Sequence, residues 1–378
     1  MTYNIHLYPS DFQHETRIEK VAKAIHKLNY FKEILLLGMG NGNFKIENKI
    51  FVKLIGFKNS NKIIGKKIIS FIIFYLGVFF FLNKKKIKLI NAHSLSVLPL
   101  AFLLKIIHGS KLVYDTHELE TETEQMSSFR KFIFKFIEKK IIHYCDLTIV
   151  VSENIANWYY KEYKINRPLV IKNGSHYFKI NKKKNFLRNN LKISNDKKIL
   201  LYQGDLSKVK GIELVIDAFK KRNIIKRDKL VFVLIGYGEL YKDIKKIVKK
   251  YKNIYLLKSI PYKKLLNYTS SADLGIMLPK NTCLNNYFCM PNKLFEYAMA
   301  GLPVMISNMK EMSEVVNKYK FGIVIKRMSV TSINNSLDKF LIKKNFNKLS
   351  IASRKFANIN SWEKQEKLLI KQYRKILN

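Results

Sequence analysis

The amino-acid sequence predicts an α/β fold made of two parallel-sheet domains. Short apolar strands alternate with amphipathic helices along most of the chain, a pattern typical of parallel sheets covered by helices. The alternation pauses at a polar run over residues 179–198 and then resumes, so the two halves look alike in architecture. A length of 378 residues is too long for one ordinary core, and an apolar share of 47% is enough for a globular fold.

We therefore expect two Rossmann-like domains that face each other across a cleft. The first domain is predicted at residues 1–178 and the second at 179–355. A helix at 356–378 is expected to pack back on the first domain.

The strands of the first half are apolar stretches that end in polar or turn residues. They are NIHLYP, EILLLG, IKLINAHS, KLVYDTHE and LTIVVSE, and LVIKNG closes the half. Amphipathic segments between these strands predict helices. These are HETRIEKVAKAIHKL, PLAFLLKIIH and SSFRKFIFKFIEKKIIHY.

The second half begins with a linker and a short helix, predicted over KINKKKNFLRNNLKISNDKK. The strands that follow are KILLYQG, KLVFVLIGYG, NIYLLKSI, DLGIMLP, LPVMISN and FGIVIK. The predicted helices are GIELVIDAFKKR, ELYKDIKKIVKKY, YKKLLNYTSSA, NKLFEYAMA and the final SWEKQEKLLIKQYRKIL.

One uncharged segment, residues 68–82, interrupts the order with IISFIIFYLGVFFFL between pairs or runs of lysine. A helix of this length spans about 22 Å, short of the roughly 30 Å of a bilayer core. The segment also falls inside a strand–helix repeat that a membrane span would split. We expect a buried helix, or one that lies on an acidic membrane surface.

The net charge of +42 comes from 70 Lys and Arg against 28 Asp and Glu. Such an excess favours an anionic partner: nucleic acid, a phosphate-bearing substrate or an acidic membrane face. Joint enrichment in Lys, Ile and Asn also fits an AT-rich coding sequence, which carries no functional meaning. Because no zinc-finger, RNP-type or KH-type pattern occurs, we expect no nucleic-acid partner.

The three cysteines, Cys145, Cys283 and Cys289, form no metal-ligand or disulfide spacing, which favours a reducing compartment. The N-terminal residues lack the basic and apolar regions of a signal peptide. We therefore expect a cytoplasmic protein. No HExxH or DxD pattern occurs, so no metal site is predicted.

Several polar residues and glycines follow predicted strands, where ligands bind in open α/β sheets. Gly236 and Gly238 stand in a strand–turn–helix stretch that suits a phosphate or a plain turn. Lys210 follows another strand, as a phosphate partner or a solvated lysine. His93 and His117 are candidates for a base or a sugar-hydroxyl ligand, or for structural histidines.

Glu296 stands alone among apolar residues in NKLFEYAMAGLPVMISN. An unpaired buried carboxylate is costly, so Glu296 needs a partner in the protein or in a ligand.

Taken together, these motifs resemble glycosyltransferase family 4, the retaining nucleotide-sugar transferases with the GT-B fold. The resemblance covers nearly the whole chain and is weaker in the first 60 residues. Its most specific parts are LLYQGDLSKVKGIELVIDAF, VFVLIGYGE and PNKLFEYAMAGLPVMISN; YDTHE and SWEKQEKLLIKQY also fit.

The resemblance implies that Lys210 binds the donor diphosphate and that Glu296 takes the ribose hydroxyls. It implies that His117, or alternatively His93, lines the sugar site. It also implies that the loop ending at Ser259 and Ile260 contacts the nucleotide base. The other implied donor contacts are Gly204, Gly236, Gly238, Asn292, Lys293 and Leu294.

Two positions depart from the family pattern. The first Glu of the family's E-x7-E motif falls at Phe288, and a basic residue near the diphosphate lysine falls at Asp205. Lys293 is a candidate to supply charge nearby.

The resemblance implies a retaining transferase of the hexosyl or N-acetylhexosaminyl type. We expect a UDP- or GDP-linked sugar donor, no metal, and a lipid-linked or cell-surface polysaccharide acceptor. The expected location is the inner face of the plasma membrane, with the protein peripheral on an anionic surface. The alternatives are a GT-B sugar-nucleotide epimerase, and a non-catalytic GT-B-like subunit or nucleic-acid-binding protein.

Overall fold

The structure is a computed structural model that describes residues 2–13, 15–57, 64–179, 185–225, 229–342 and 346–378. It divides into two compact units. The first holds Met1–Lys172 and Gln365–Asn378, and the second holds Asn173–Lys364. The predicted start of the first helix at His14, and residues 180–184 of the predicted linker, lie outside the described residues.

The first unit contains eight strands, five complete α-helices and most of a further helix at the C-terminus among its described residues. The strands are β1 (Tyr3–Leu7), β2 (Glu33–Met39), β3 (Gly42–Glu47), β4 (Ile50–Ile55), β5 (Ile87–Ala92), β6 (Lys111–Asp115), β7 (Leu147–Val150) and β8 (Leu169–Val170). The helices are α1 (Thr16–His26), α2 (Ile64–Leu82), α3 (Leu98–His108), α4 (Ser128–Ile141) and α5 (Glu153–Tyr163). Short 3₁₀ helices span Leu95–Val97, Glu120–Glu122 and Ile142–Tyr144.

The first sheet has the order β3-β4-β2-β1-β5-β6-β7-β8. Every neighbouring pair is parallel except β3 and β4, which form an antiparallel hairpin at the edge. The chain steps outward from β1 to β2 and later returns to place β5 on the other side of β1. This reversal is the position where open α/β sheets bind ligands.

The second unit follows the same plan with six strands. They are β9 (Lys198–Asp205), β10 (Leu230–Tyr237), β11 (Ile254–Leu257), β12 (Leu274–Met277), β13 (Val304–Ser307) and β14 (Gly322–Ile325). The helices are α6 (Phe186–Leu191), α7 (Ile212–Ile225), α8 (Tyr241–Val248), α9 (Tyr262–Thr269), α10 (Leu284–Tyr287), α11 (Asn292–Met299), α12 (Lys310–Tyr319), α13 (Val330–Ile342) and α14 (Phe346–Ile359). A short 3₁₀ helix spans Lys208–Lys210.

The second sheet is parallel throughout, with the order β11-β10-β9-β12-β13-β14. Successive residues of a strand point to opposite faces. Leu201 and Val233 accordingly pack into one core together with α11 and α14. Leu200 and Phe232 pack into the other core, with α7 and α13. The reversal of strand order in this sheet lies between β9 and β12.

The last helix, α15 (Trp362–Leu377), starts in the second unit, and its residues from Gln365 onward belong to the first. Within the first unit it is anchored by Tyr373, whose hydroxyl donates to Asn91 Oδ1 at 2.5 Å. Lys27 on α1 also pairs with Glu366 at 2.7 Å. The prediction of two Rossmann-like α/β domains with a final helix that returns to the first is confirmed.

Among the described residues, Gly65–Leu82 is the one helix long and apolar enough to cross a membrane, judged by length and composition. Its mean hydropathy is 1.8, and 22% of the segment is buried. In the structure it is α2, which connects β4 to β5 as one of the helices of the first unit.

Candidate active site

A cluster of histidines occupies the reversal point of the first sheet. His6 belongs to β1, His93 follows β5, and His117 follows β6. Their neighbour Asp115 is the last residue of β6. Because these strands lie side by side and are parallel, the two predicted histidines come together at one edge of the sheet.

Hydrogen bonds assign the ring protons along this cluster. Asn4 Nδ2 donates to the Leu89 carbonyl at 3.2 Å, so Asn4 Oδ1 accepts from His6 Nε2 at 2.8 Å. Burial holds the pKa of His6 well below its usual value, so the ring is neutral and its Nδ1 accepts from His93 Nε2 at 2.8 Å.

His93 is also neutral, because burial lowers the pKa of its ring to about 4 although Asp115 acts in the opposite direction. With the proton on Nε2, the Nδ1 of His93 carries a lone pair. It faces His117 Nε2 at 3.3 Å, so His117 donates there. The Nδ1 of His117 then carries a lone pair. It lies at the accessible end of this row of hydrogen-bonded rings, and the His117 side chain is 20% exposed.

Asp115 anchors the cluster electrostatically. Burial would raise the pKa of this carboxyl, but the Arg17 guanidinium and the nearby His117 hold it well below its usual range. Arg17 on α1 donates from Nη2 to Asp115 Oδ1 at 2.7 Å and from Nη1 to the Ile171 carbonyl at 2.9 Å. The carboxylate lies 3.7 Å from His117 Nε2.

The donor atoms of His93, Asp115 and His117 all lie within 4.8 Å of one another, close enough to share a metal ion. The Asp115 carboxylate is already paired with the Arg17 guanidinium, which would repel a cation placed beside it. We therefore assign this cluster as a hydrogen-bonding site.

The two predicted catalytic histidines thus have different environments. His93 is 1% exposed, and its ring contacts His6 and His117. His117 is accessible and lies against the Tyr8 ring, with 5.8 Å between ring centroids. The nearby Glu120 carboxylate caps the 3₁₀ helix at Leu95–Val97, because it accepts a hydrogen bond from the backbone amide of Leu95 at 2.8 Å.

In the second unit, two lysines lie beside the end of β9. Lys210 ends the short 3₁₀ helix after β9 and is partly buried. Lys293, on the first turn of α11, donates to Tyr202 Oη at 2.8 Å and lies 4.3 Å above the centre of that ring. Burial and the nearby Lys210 lower the pKa of Lys293 to about 8. Two adjacent cations at a strand end suit a diphosphate.

Gly204 makes room for Lys293. Its φ of +115° favours glycine, and a Cβ there would lie 2.5 Å from Lys293 Cε. Gly236 pairs with Gly204 across the sheet, and a Cβ on Gly236 would lie 1.9 Å from the Gly204 carbonyl oxygen. Gly238 has φ +142° beside Asp205 and Leu206. These predicted donor-site glycines are explained by close backbone packing within the protein.

Glu296 has a protein partner. Its Oε2 accepts from Gln203 Nε2 at 2.6 Å, and Gln203 Oε1 accepts from Thr269 Oγ1 at 2.8 Å. The backbone amide of Gln203 donates to Tyr297 Oη at 3.0 Å, and this hydrogen bond ties the end of β9 to α11. Glu296 is 8% exposed, and the hydrogen bond from Gln203 holds its carboxylate in position.

The remaining predicted donor contacts flank this site. Ser259 and Asn292 are exposed, on the loop after β11 and at the start of α11. The Ile260 side chain is partly buried against the core. The Leu294 side chain is fully buried in the same core, where it holds α11 in place.

The structure shows what surrounds the two residues that depart from the family pattern. Phe288 follows α10 and is partly buried, with Lys310 Nζ 5.9 Å from its ring centre. Asp205 ends β9 beside Gly238. Lys293 is close enough to both Asp205 and Lys210 for their charges to change its pKa. The second cation near Lys210 is therefore Lys293 on α11, and the residue at position 205 does not supply it.

Sequence reasoning missed Arg17, Asp115, His6 and Gln203. Each acts through a partner distant in sequence, such as Arg17 and Asp115, which are 98 positions apart. The one available signal was Asp115 in YDTHE, a carboxylate at the end of an apolar strand.

Comparisons with known proteins match this architecture domain by domain. The family model described as Glycosyltransferase Family 4 matches residues 15–175, and Glycosyl transferases group 1 matches residues 183–356. An uncharacterized glycosyltransferase of Methanocaldococcus jannaschii is 26% identical over 289 residues, covering 72% of this chain and 67% of that protein.

Solved structures share the fold at low identity. Sucrose-phosphate synthase of Thermosynechococcus elongatus has a TM-score of 0.81 at 15% identity, covering 100% of this chain and 99% of its own. HepE of Anabaena, solved with UDP-glucose, has a TM-score of 0.74 at 14% identity, and the match covers 99% of this chain and 100% of HepE. WaaG, a glycosyltransferase involved in lipopolysaccharide biosynthesis, has a TM-score of 0.71 at 14% identity and covers 97% and 98%. The expected GT-B fold is thereby confirmed, and with both domain models matched in order along the sequence, the chain belongs to glycosyltransferase family 4 and is a transferase.

Proposed function

We propose that this transferase moves a sugar from a UDP- or GDP-linked donor to a lipid-linked or cell-surface polysaccharide acceptor, with retention of configuration. The observation that carries the donor half is the arrangement of Lys210, Lys293 and Glu296 around the end of β9. HepE, which has the same fold, binds UDP-glucose, and this supports a nucleotide-sugar donor here.

In the proposed donor complex, the two lysines take the diphosphate and Glu296 takes the ribose hydroxyls. Gln203 donates to one oxygen of Glu296, which leaves the carboxylate oriented before the donor binds. A preoriented acceptor for two hydroxyls costs little reorganisation on binding. The base lies against the loop of Ser259 and Ile260 in this proposal.

The reaction breaks the bond between the anomeric carbon and the β-phosphate oxygen, and that oxygen keeps the electron pair. Lys210 and Lys293 stabilise the charge that develops on the phosphate. The acceptor hydroxyl attacks from the same face of the oxocarbenium-like sugar, and its proton passes to the leaving phosphate. No metal takes part, because the lysines supply the positive charge that a cation would otherwise supply.

His117 is proposed to bind a hydroxyl of the transferred sugar through its Nδ1 lone pair. Asp115 and the buried His93 hold the ring in the tautomer that this contact needs. His93 therefore acts as a positioning residue.

The proposed location is the cytoplasmic face of the plasma membrane, with the protein peripheral on an anionic surface. The high positive charge of the chain and its apolar helix α2 support this location. A lipid-linked acceptor would be presented at such a surface.

The test is transfer of labelled sugar from a panel of UDP- and GDP-sugars to extracted membrane lipids. We expect one donor to label the lipid fraction, and nuclear magnetic resonance of the product to show the anomeric configuration of the donor. An inverted product would contradict the retaining mechanism. Labelling only of water-soluble acceptors would contradict the lipid-linked acceptor.

A further inference from the structure

Three neighbouring helices of the first unit, α2, α3 and α4, share one side of the sheet. The chain steps in the same direction across the sheet from β4 to β5, from β5 to β6 and from β6 to β7. Because parallel crossovers are right-handed, the three connecting helices lie in one layer. The Tyr75 hydroxyl of α2 donates to the Ser96 carbonyl just before α3, at 2.5 Å, and α3 packs against α4.

Each of these helices turns large apolar side chains away from the sheet. We name the outward surface of the three helices the outer apolar face. Its exposed members are Ile68, Ile69, Ile72, Leu76 and Phe80 on α2, Leu103, Ile106 and Ile107 on α3, and Phe129, Phe132, Ile133 and Phe136 on α4. Single exposed apolar residues are ordinary, but a continuous set on adjacent helices marks an interaction surface.

The opposite sides of α2 and α4 are fixed in the core. On α2, Phe74, Val78 and Leu82 are buried at intervals of four, opposite the exposed stripe. A Cβ on Gly77 would lie 2.4 Å from Ile55 Cγ2, so the helix lies directly against β4. On α4, the buried Glu138 accepts from the hydroxyls of Tyr114, Tyr159 and Tyr163 at 2.6–2.8 Å.

This packing excludes α2 as a membrane span. To cross a bilayer, the helix would have to leave the sheet and expose the core that it now covers. The helix instead suits a position in the plane of a bilayer surface, with its exposed stripe among the lipid chains.

Charge around the outer apolar face identifies what covers it. No acidic residue occurs between Glu47 and Asp115, a stretch that includes all of α2 and α3. The single acid of α4 is the buried Glu138. Exposed basic residues border the face: Lys66, Lys67, Lys84, Lys86, Arg130, Lys139 and Lys140.

We propose that the outer apolar face docks on an anionic lipid bilayer, with α2, α3 and α4 lying together in the interface. A second copy of the chain is disfavoured, because a two-fold contact would place the same lysines opposite each other. An anionic bilayer offers apolar chains and opposite charge together. The inference deepens the proposed membrane location and rests on it, but the sugar-transfer reaction does not enter the argument.

The test is flotation of the full chain with vesicles of phosphatidylglycerol and phosphatidylcholine in equal parts, and with phosphatidylcholine alone. The variants are Ile72→Glu on α2, Ile106→Glu on α3 and Phe132→Glu on α4, which are 53%, 63% and 71% exposed. The matched control is Ile351→Glu on α14, 69% exposed in the second unit. Circular dichroism melting checks that all four variants fold.

We expect the wild type and Ile351→Glu to float with the anionic vesicles, and each outer-face variant to bind at least about tenfold more weakly. Absence of wild-type flotation, or wild-type binding by any outer-face variant, would overturn the proposal. So would a dimer that forms without lipid and that these variants break.

Nucleoside diphosphate release from the donor in solution separates this inference from the proposed reaction. The outer-face variants are expected to keep that release at the wild-type rate. Release by the wild type without flotation would overturn the docking face and the proposed membrane location, and would leave the reaction standing. Flotation without release by any nucleotide sugar would count against the reaction alone.

Discussion

At the residue scale, the most informative side chain is Glu296. Gln203 and Tyr297 bind each other and hold the end of β9 against α11, so the carboxylate is fixed within a hydrogen-bonded network. The network answers the question of how a nearly buried carboxylate is tolerated on this helix. It also orients the carboxylate that we propose as the acceptor for hydroxyl groups of the donor.

Glu296→Ala is expected to lower kcat/KM for the donor by about 10- to 100-fold, or roughly 1.4–2.7 kcal/mol. The variant removes the proposed acceptor for the ribose hydroxyls. It also removes the carboxylate to which the side-chain amide of Gln203 donates. The measurement is steady-state kinetics over a range of donor concentrations. Glu213→Ala, at an exposed position on α7, is the control and should match the wild type; equal kinetics for both variants would remove Glu296 from the site.

Lys293 provides a test that combines stability with function. Burial and Lys210 lower the pKa of Lys293 to about 8 in the folded chain. The unfolded chain keeps this proton up to the ordinary lysine value of about 10.4, so the contribution of Lys293 to the free energy of unfolding rises between those pH values. Below about pH 8 the partly buried Lys293 cation destabilises the fold by its full amount.

Lys293→Met is therefore expected to raise the melting temperature near neutral pH, and the gain should shrink as pH rises above about 8. The same variant should raise the donor KM, because one of two diphosphate cations is gone. Wild-type donor KM should also rise as Lys293 loses its proton. A gain in melting temperature that is constant with pH would contradict the assigned pKa.

The Arg17–Asp115 pair makes a third residue-level prediction. Asp115→Asn leaves the Arg17 guanidinium buried without its anion, which typically costs about 3–5 kcal/mol. Denaturant unfolding should show this loss, and the double variant Arg17→Met with Asp115→Asn should recover part of it. A loss as large in the double variant as in Asp115→Asn would show that the unpaired cation is not the cause.

At the element scale, α11 is positioned by contact with β12. The Tyr297 ring lies on Gly275, where a Cβ would come within 2.6 Å of Tyr297 Cδ2. Tyr297 is fully buried and has little room to move, so the glycine allows α11 to approach the sheet. The position of Glu296 depends on this contact.

Gly275→Ala is expected to destabilise the fold by about 1–3 kcal/mol through overpacking. The control is Gly65→Ala on α2, where a Cβ would meet nothing within 4 Å. An alanine in that helix should be neutral or stabilising by about 0.5–1 kcal/mol. Equal unfolding midpoints for the two variants would contradict the packing argument.

Most of the strands and the helix α11 were predictable from their apolar patterns, and several other elements were missed. The apolar strands and α11 follow directly from their patterns. The β3–β4 hairpin was missed because its turn at Asn48 and Lys49 lacks the usual glycine, and Lys49 takes φ +62°. The helices α5, α12, α13 and α14 received no prediction, although each buries an apolar face.

At the scale of the whole molecule, the order of motifs predicted the fold and the family, because several strand ends and one helix recur at fixed spacing. Candidate site residues could be named only where one residue carries the signal, as Glu296, Lys210 and His117 do, and their roles stay predictions. Partners such as Arg17 and Gln203 could not be found, since their contacts join residues 98 and 93 positions apart. The degree of burial also distinguishes His93 from His117, two histidines that each follow a strand in the sequence.

The central claim is that this transferase uses a nucleoside-diphosphate sugar held by Lys210 and Glu296 in the second unit. The most direct measurement is release of nucleoside diphosphate from a panel of UDP- and GDP-sugars by the wild type, Lys210→Ala and Glu296→Ala. We expect slow release from one donor by the wild type and at least about a tenfold loss in each folded variant. No release from any donor, or full release by both variants, would contradict the claim.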